Sequence, residues 1–292
     1  MGLISNHTRW IFILPSPRLI KTEERHIQDI AFGVHCLLKK GIKQSNIDIF
    51  IDNNNSSVTD YIFTLFNVPL SIPVLPTNSI KSIMGTNKKR NAVVFITGHG
   101  SPEGMVHDIP IKPFEFYDIF QTAPNLKKTV FYFGQCYAGI FNYMPLSTHL
   151  NHSEKHMNNM VAIGATGLFP SISYRYDLNK NVFWTANIFL LNIFKWILNM
   201  VDVDGDHKYS IMDSFKYASI ITNETIQQIK KDNTLESMIE VETLLEKIKT
   251  AEDRKSLSLE LEIESIDKKM SFMNAIQESW ILNAPVAMTT EF

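Results

Sequence analysis

Two short apolar runs constrain this chain more than anything else in it. Ala92-Val93-Val94-Phe95-Ile96 ends in Thr97-Gly98-His99-Gly100, and Thr129-Val130-Phe131-Tyr132-Phe133 ends in Gly134-Gln135-Cys136-Tyr137-Ala138-Gly139. Continuous runs of β-branched and aromatic residues suit strands buried on both faces of a parallel sheet. Parallel strands point their carboxyl ends at one edge, and in open α/β sheets that edge is where ligands bind. His99 and Cys136 are therefore expected at a common edge, although far apart in sequence. A thiol beside an imidazole is the minimal equipment for covalent acyl transfer.

The flanking sequence supplies the rest of such a sheet. Trp10–Leu14 reads as a first strand, and Ile27, Ile30, Ala31, Val34, Leu37 and Leu38 recur at helical spacing between Glu23 and Lys40, with Gly41 as the stop. Ile47–Ile51 closes a strand-helix-strand unit. Further strands are expected near Ser71–Leu75 and over Met160–Ala165, a helix over Pro113–Gln121, and a long helix from Val182 to Met200. This alternation predicts an α/β fold with a mostly parallel central sheet over residues 1–221. Beyond Thr222 the composition turns to Glu, Lys, Ile and Leu, so residues 222–292 read as a helical C-terminal cap or hairpin without further strands.

Composition narrows the function. The formal charge of −2, with basic residues scattered, gives no electrostatic reason for a nucleic-acid partner. The two cysteines do not make a disulfide framework, and Cys36 falls in the apolar phase of the first helix, as a core residue would. No apolar run has the length and continuity of a membrane span, and no signal peptide is read at the N-terminus, which favours a cytoplasmic protein. The expected partner is a protein or peptide substrate, and the oligomeric state stays open.

Several stretches together resemble a known family. Arg25-His26 opening a helix that leads through Lys40-Gly41-Ile42 into a strand, the turn Thr97-Gly98-His99-Gly100, the strand end at Cys136, and Met160–Thr166 followed by Ser171, Ser173 and Tyr174-Arg175-Tyr176-Asp177 are similar to the caspase and legumain clan of cysteine peptidases. The likeness is greatest on the legumain side, which includes the catalytic subunit of the glycosylphosphatidylinositol transamidase. It implies a caspase-like three-layer sandwich and a cysteine endopeptidase working through a Cys-His dyad. Cys136 is then the nucleophile, His99 the general acid/base, and the backbone N–H groups of Gly100 and Cys136 the oxyanion donors. A transpeptidase or transamidase on the same dyad, and a non-catalytic scaffold, are the alternatives.

The resemblance further implies that Arg25, Ser171 or Ser173, and Asp177 line the pocket for the residue before the scissile bond. For Arg25 the alternative is an arginine paired with Glu23 or Asp29 on the helix. The family places an acid two residues before the nucleophile, whereas this chain has Gly134 there, so an Asn preference lacks one of its carboxylates.

A last motif runs from Asp202 to Asp213. Asp202, Asp204, Asp206, Ser210 and Asp213 place oxygen at positions one, three, five, nine and twelve of a calcium-loop pattern. His207 replaces the turn glycine and Asp213 is shorter than the usual Glu, so the stretch reads as a turn capping the next helix. No metal or other cofactor is expected, with calcium at this loop as the alternative and a calcium-responsive binding module as its functional consequence. His107, His149, His152, His156 and His207 have no ligand spacing and read as surface residues.

Overall fold

The computed structural model describes residues 2–53, 56–68, 71–144, 146, 158–179, 182–250, 262, 264–265 and 277–292. Two compact units divide the chain: residues 1–219 with 277–292, and residues 220–276.

The first unit is α/β, built on a mostly parallel sheet. Strands β1 (Thr8–Leu14), β2 (Ile47–Ile51), β3 (Val74–Leu75), β4 (Asn91–Ile96), β7 (Lys128–Phe133) and β8 (Asn159–Gly164) pair in parallel, and β11 (Trp280–Leu282) adds antiparallel to β8. The order across the sheet is β11-β8-β7-β4-β1-β2-β3, and β5 (Gly100–Ser101) and β6 (Gly104–Met105) form a separate antiparallel pair. The two runs that end in His99 and Cys136 are thus neighbours, as expected, in a register that sets Ile96 beside Phe133.

Alternation along each strand feeds a separate core on each face. Trp10, Phe12 and Leu14 pack with α1 (Glu24–Lys39), α2 (Ser56–Leu65) and α5 (Ile188–Leu198), whereas Ile11 and Ile13 pack with α3 (Ile80–Gly85) and α4 (Pro113–Gln121). Helices therefore cover both faces, and both strands of the central β4–β7 pair are fully buried past their first residues. Cys36 is buried in the first of these cores.

Two expectations are corrected. Val182–Asn187 is a strand, β10, paired antiparallel with β9 (Ser173–Asn179), and the helix begins only at Ile188. The β-branched and aromatic residues Val182, Phe183, Trp184 and Thr185 favour extended backbone. Asn187 then marks the change by capping α5, its side chain accepting from the Leu190 N–H at 3.0 Å. The second correction is β11, beyond the point where no further strand was expected. There the Trp280 indole covers Gly164, leaving no room for a Cβ, and donates to the Thr166 carbonyl at 2.8 Å.

The helix α6 (Ile211–Thr250) contributes its first turns to this unit, where Ile211, Met212 and Ala218 are buried. Residues 220–276 form the second unit, whose described residues are helical, in α6 up to Thr250 and at positions 262 and 264–265. Among the described residues no helix is long and apolar enough to cross a membrane.

Candidate active site

The carboxyl ends of β4 and β7 meet closely. Gly134 donates its N–H to the Ile96 carbonyl at 2.8 Å, which carries the strand pairing one step past its end. Further on, a Cβ at Gly100 would collide with the Cys136 carbonyl oxygen, so glycine is required for the His99-Gly100 turn to lie against Cys136. Gly139 likewise lies on Gly167, donating to its carbonyl at 3.0 Å. The close approaches these glycines make are to protein backbone. Tyr137, directly after Cys136, has φ +54°, a left-handed turn that carries the chain off the sheet edge.

The Cys136 sulfur is partly exposed and faces Ser171. The Ser171 N–H donates to Sγ at 3.2 Å, and Tyr137 N–H to the Phe169 carbonyl at 2.9 Å ties the following turn to the same loop. An N–H aimed at sulfur solvates negative charge developing there. The Ser171 hydroxyl in turn accepts from the Asn187 side-chain amide at 3.0 Å, and that amide also donates to the Gly134 carbonyl.

His99 is half exposed, and its Nε2 lies 2.5 Å from Glu23 Oε1. Glu23 occupies the N-cap position of α1 without capping it, and its other oxygen takes Arg25 Nε at 2.5 Å. The Arg25 bond foremost, helped by His99 and opposed by partial burial, holds the Glu23 carboxyl down to about 2. An ionised carboxylate only accepts, so His99 carries its proton on Nε2 and leaves Nδ1 to exchange protons.

Behind His99 stands a buried chain. The His26 ring meets His99 edge-on with centroids 5.3 Å apart, and its Nδ1 lies 3.1 Å from Thr97 Oγ1. Thr97 donates onward to Asp29 at 3.5 Å, and Asp29 accepts from Trp184 Nε1 at 2.8 Å and from the Asn187 N–H. Burial drives the His26 pKa down to about 3 and the Asp29 pKa up to about 7. His26 Nε2 is buried with no hydrogen-bond partner.

The residues expected to set specificity are partly assembled. Arg25 Nη1 donates to Ser173 Oγ at 3.0 Å, so Arg25 joins the loop after Cys136 while also pairing with Glu23. Asp177 lies in β9 opposite Phe183, and its side chain is outside the described residues. His149, His152 and His156 also fall outside them. At Gly134 a Cβ would run into Leu190 and come within 3.2 Å of Asn187 Oδ1. The position that carries an acid in the resembled family here faces the packed start of α5.

Sequence reasoning did not single out Glu23, Asp29, Thr97 or Asn187 for the site. Glu23 had a usable signal, a carboxylate two residues before Arg25 at the helix start. Asp29 had none, since it lies off the helical stripe of Ile27, Ile30, Ala31 and Val34.

The acidic loop is well ordered by its own bonds. Asp202 accepts from the N–H groups of Gly205 and His207 at 2.7 and 2.8 Å, and Asp213 from those of Val203 and Ser210, both at 2.8 Å. Burial raises the Asp213 pKa, but these bonds and the Ser210 hydroxyl overcome it and leave the carboxyl below its ordinary range. One oxygen from each of Asp202, Asp204, Asp206 and Asp213 lies within 4.8 Å of the others. Helix capping accounts for the Asp213 and Ser210 contacts, and Asp204 also pairs with Lys216 at 2.9 Å.

Comparison with known proteins is sparse in sequence. No protein-family model matches the chain, and no curated protein sequence matches it. Among solved structures it is similar to the crystal structure of caspase-1 from Spodoptera frugiperda, with 11% identity over 73% of this chain and 77% of that one and a TM-score of 0.43. At that identity the likeness says nothing about chemistry.

Proposed function

We propose that the chain is a cysteine endopeptidase of the legumain and caspase type. The observation that carries this reading is the β4–β7 register, which packs the His99-Gly100 turn against the backbone of Cys136 at the ligand-binding edge of the sheet.

In the proposed reaction, Cys136 Sγ attacks the scissile carbonyl carbon while the Ser171 N–H faces the sulfur. The tetrahedral oxyanion is held by the backbone N–H groups of Gly100 and Cys136. The thiol proton passes to His99 Nδ1 and from there to the departing amine as the C–N bond breaks. Glu23 holds Nε2–H through both transfers and stabilises the transient imidazolium, extending the expected dyad by one orienting carboxylate. Water then resolves the thioester; an amine in its place makes the same site a transpeptidase or transamidase. Arg25 and Ser173 border the pocket for the residue before the scissile bond, with Ser171 and Asp177 as its other expected members.

Alkylation by iodoacetamide tests the reading directly. Cys36 is buried, which pushes its thiol up to about 12, so Cys136 is the cysteine expected to react. Rapid labelling lost in Cys136→Ala and slowed in folded His99→Ala supports an activated nucleophile. Labelling no faster than that of a free thiol and indifferent to His99 supports a non-catalytic scaffold.

A further inference from the structure

We propose that Glu23, His26 and His99 form a site for a borderline divalent cation, Zn²⁺ by its donors, and that the bound metal holds the peptidase inactive by occupying His99. One ligand atom from each of the three lies within 4.8 Å of the other two. Two imidazoles and a carboxylate are a zinc donor set, with a fourth position left for water.

The chemistry of His26 carries the argument. Its Nε2 is buried and unpartnered, a cost that a folded protein ordinarily avoids. Thr97 donates its hydroxyl proton to Asp29 and so accepts from His26 Nδ1–H. That assignment leaves Nε2 with a free lone pair, on a ring that meets His99 edge-on. A histidine whose far nitrogen is fixed by a hydroxyl and a carboxylate behind it is how proteins orient a metal ligand.

The other two donors can close on this fixed one. Glu23 and His99 side chains are 44% and 46% exposed, and His99 Nε2–H already donates to Glu23 Oε1 across 2.5 Å. Zn²⁺ takes the place of that proton, which leaves to solvent, and His99 can then no longer serve as acid/base. Solvent exposure of two ligands makes the site accessible to added metal and to chelators.

The inhibitory consequence rests on the peptidase reading, whereas the binding does not, so the two are measured separately. After EDTA treatment and its removal, Zn²⁺ binding is followed by competition with a chromophoric chelator. The full-length wild type and Cys136→Ala are expected to bind one ion with equal affinity. His26→Ala and Glu23→Ala should weaken binding at least about 10-fold, and Thr97→Val, which removes only the outer acceptor, about 10–100-fold. Near-UV circular dichroism identifies folded variants, and Glu23→Ala, at an exposed position, serves if His26→Ala does not fold. Binding lost in Cys136→Ala but retained in Glu23→Ala and Thr97→Val overturns the site, as does wild-type binding no tighter than that of Glu23→Ala. Wild-type metal binding without any peptidase activity upholds the site and removes the peptidase reading instead. An active enzyme that turns over unchanged with the ion bound overturns the inhibitory role.

Discussion

Glu23 and His99, 76 positions apart, meet with Oε1 and Nε2 2.5 Å apart at the mouth of the sheet edge. Each sits at the end of an element, Glu23 just before α1 and His99 just after β4, so the contact ties a helix start to a strand end. The carboxylate fixes which nitrogen of His99 holds the proton and leaves the other to work.

Glu23→Gln is therefore expected to lower kcat/KM by about 10²-fold through kcat, because the amide still accepts a hydrogen bond but no longer opposes the imidazolium charge. Steady-state kinetics checks it, with an unchanged melting temperature as the control for folding. A change confined to KM would instead place Glu23 in substrate binding.

Asp29 gives the fold a pH dependence of definite sign. Its carboxyl is raised by burial from 3.8 to about 7, so between those values the folded chain keeps a proton that the unfolded chain has lost. Stability from this group is full below about 4, falls as pH rises, and its loss is complete above about 7, at a slope of at most about 1.4 kcal/mol per pH unit. His26, depressed to about 3, contributes a slope of opposite sign on the acid side of 6.5. The Asp29→Asn variant isolates the first effect: in chemical denaturation, wild type should lose stability relative to the variant between pH 5 and pH 8. A difference that does not change with pH would contradict it.

The strands that build the site were legible because β4 and β7 are unbroken apolar runs, each closed by glycine and polar residues. The α1 amphipathic pattern and the left-handed Gly41 that ends it, at φ +86°, were legible for the same local reason. Val182–Leu198 misled because no glycine or proline separates β10 from α5, and one apolar stretch suits a strand as well as a helix. The Glu23–His99 and Asp29–Trp184 contacts join residues far apart in sequence, and no spacing rule reaches them.

Gly134 is a packing glycine in this chain, not a vacant pocket position. Placing an acid there, as Gly134→Asp, drives a Cβ to within 2.6 Å of Leu190 Cγ. The expected outcome is a loss of about 1–3 kcal/mol in thermal or denaturant unfolding, with no gain in cleavage after Asn. A stable variant with enhanced Asn cleavage would show that the position opens to substrate.

Asn187 links fold and site through three bonds, to the Leu190 N–H, the Gly134 carbonyl and the Ser171 hydroxyl. Asn187→Ala removes the α5 cap and both donations, and should cost about 2 kcal/mol of stability. Because the Ser171 N–H faces Cys136, the rate of Cys136 alkylation should fall as well. Unfolding and labelling measured on one preparation separate the two effects.

The most direct test of the central claim is cleavage of a fluorogenic peptide library, varied at the residue before the scissile bond, by wild type, Cys136→Ala and His99→Ala in metal-free buffer. Turnover by the wild type that both substitutions abolish, in variants that remain folded, is the predicted result. Cleavage that survives in Cys136→Ala, or no cleavage of any member by a folded wild type whose Cys136 is also unreactive, would contradict it.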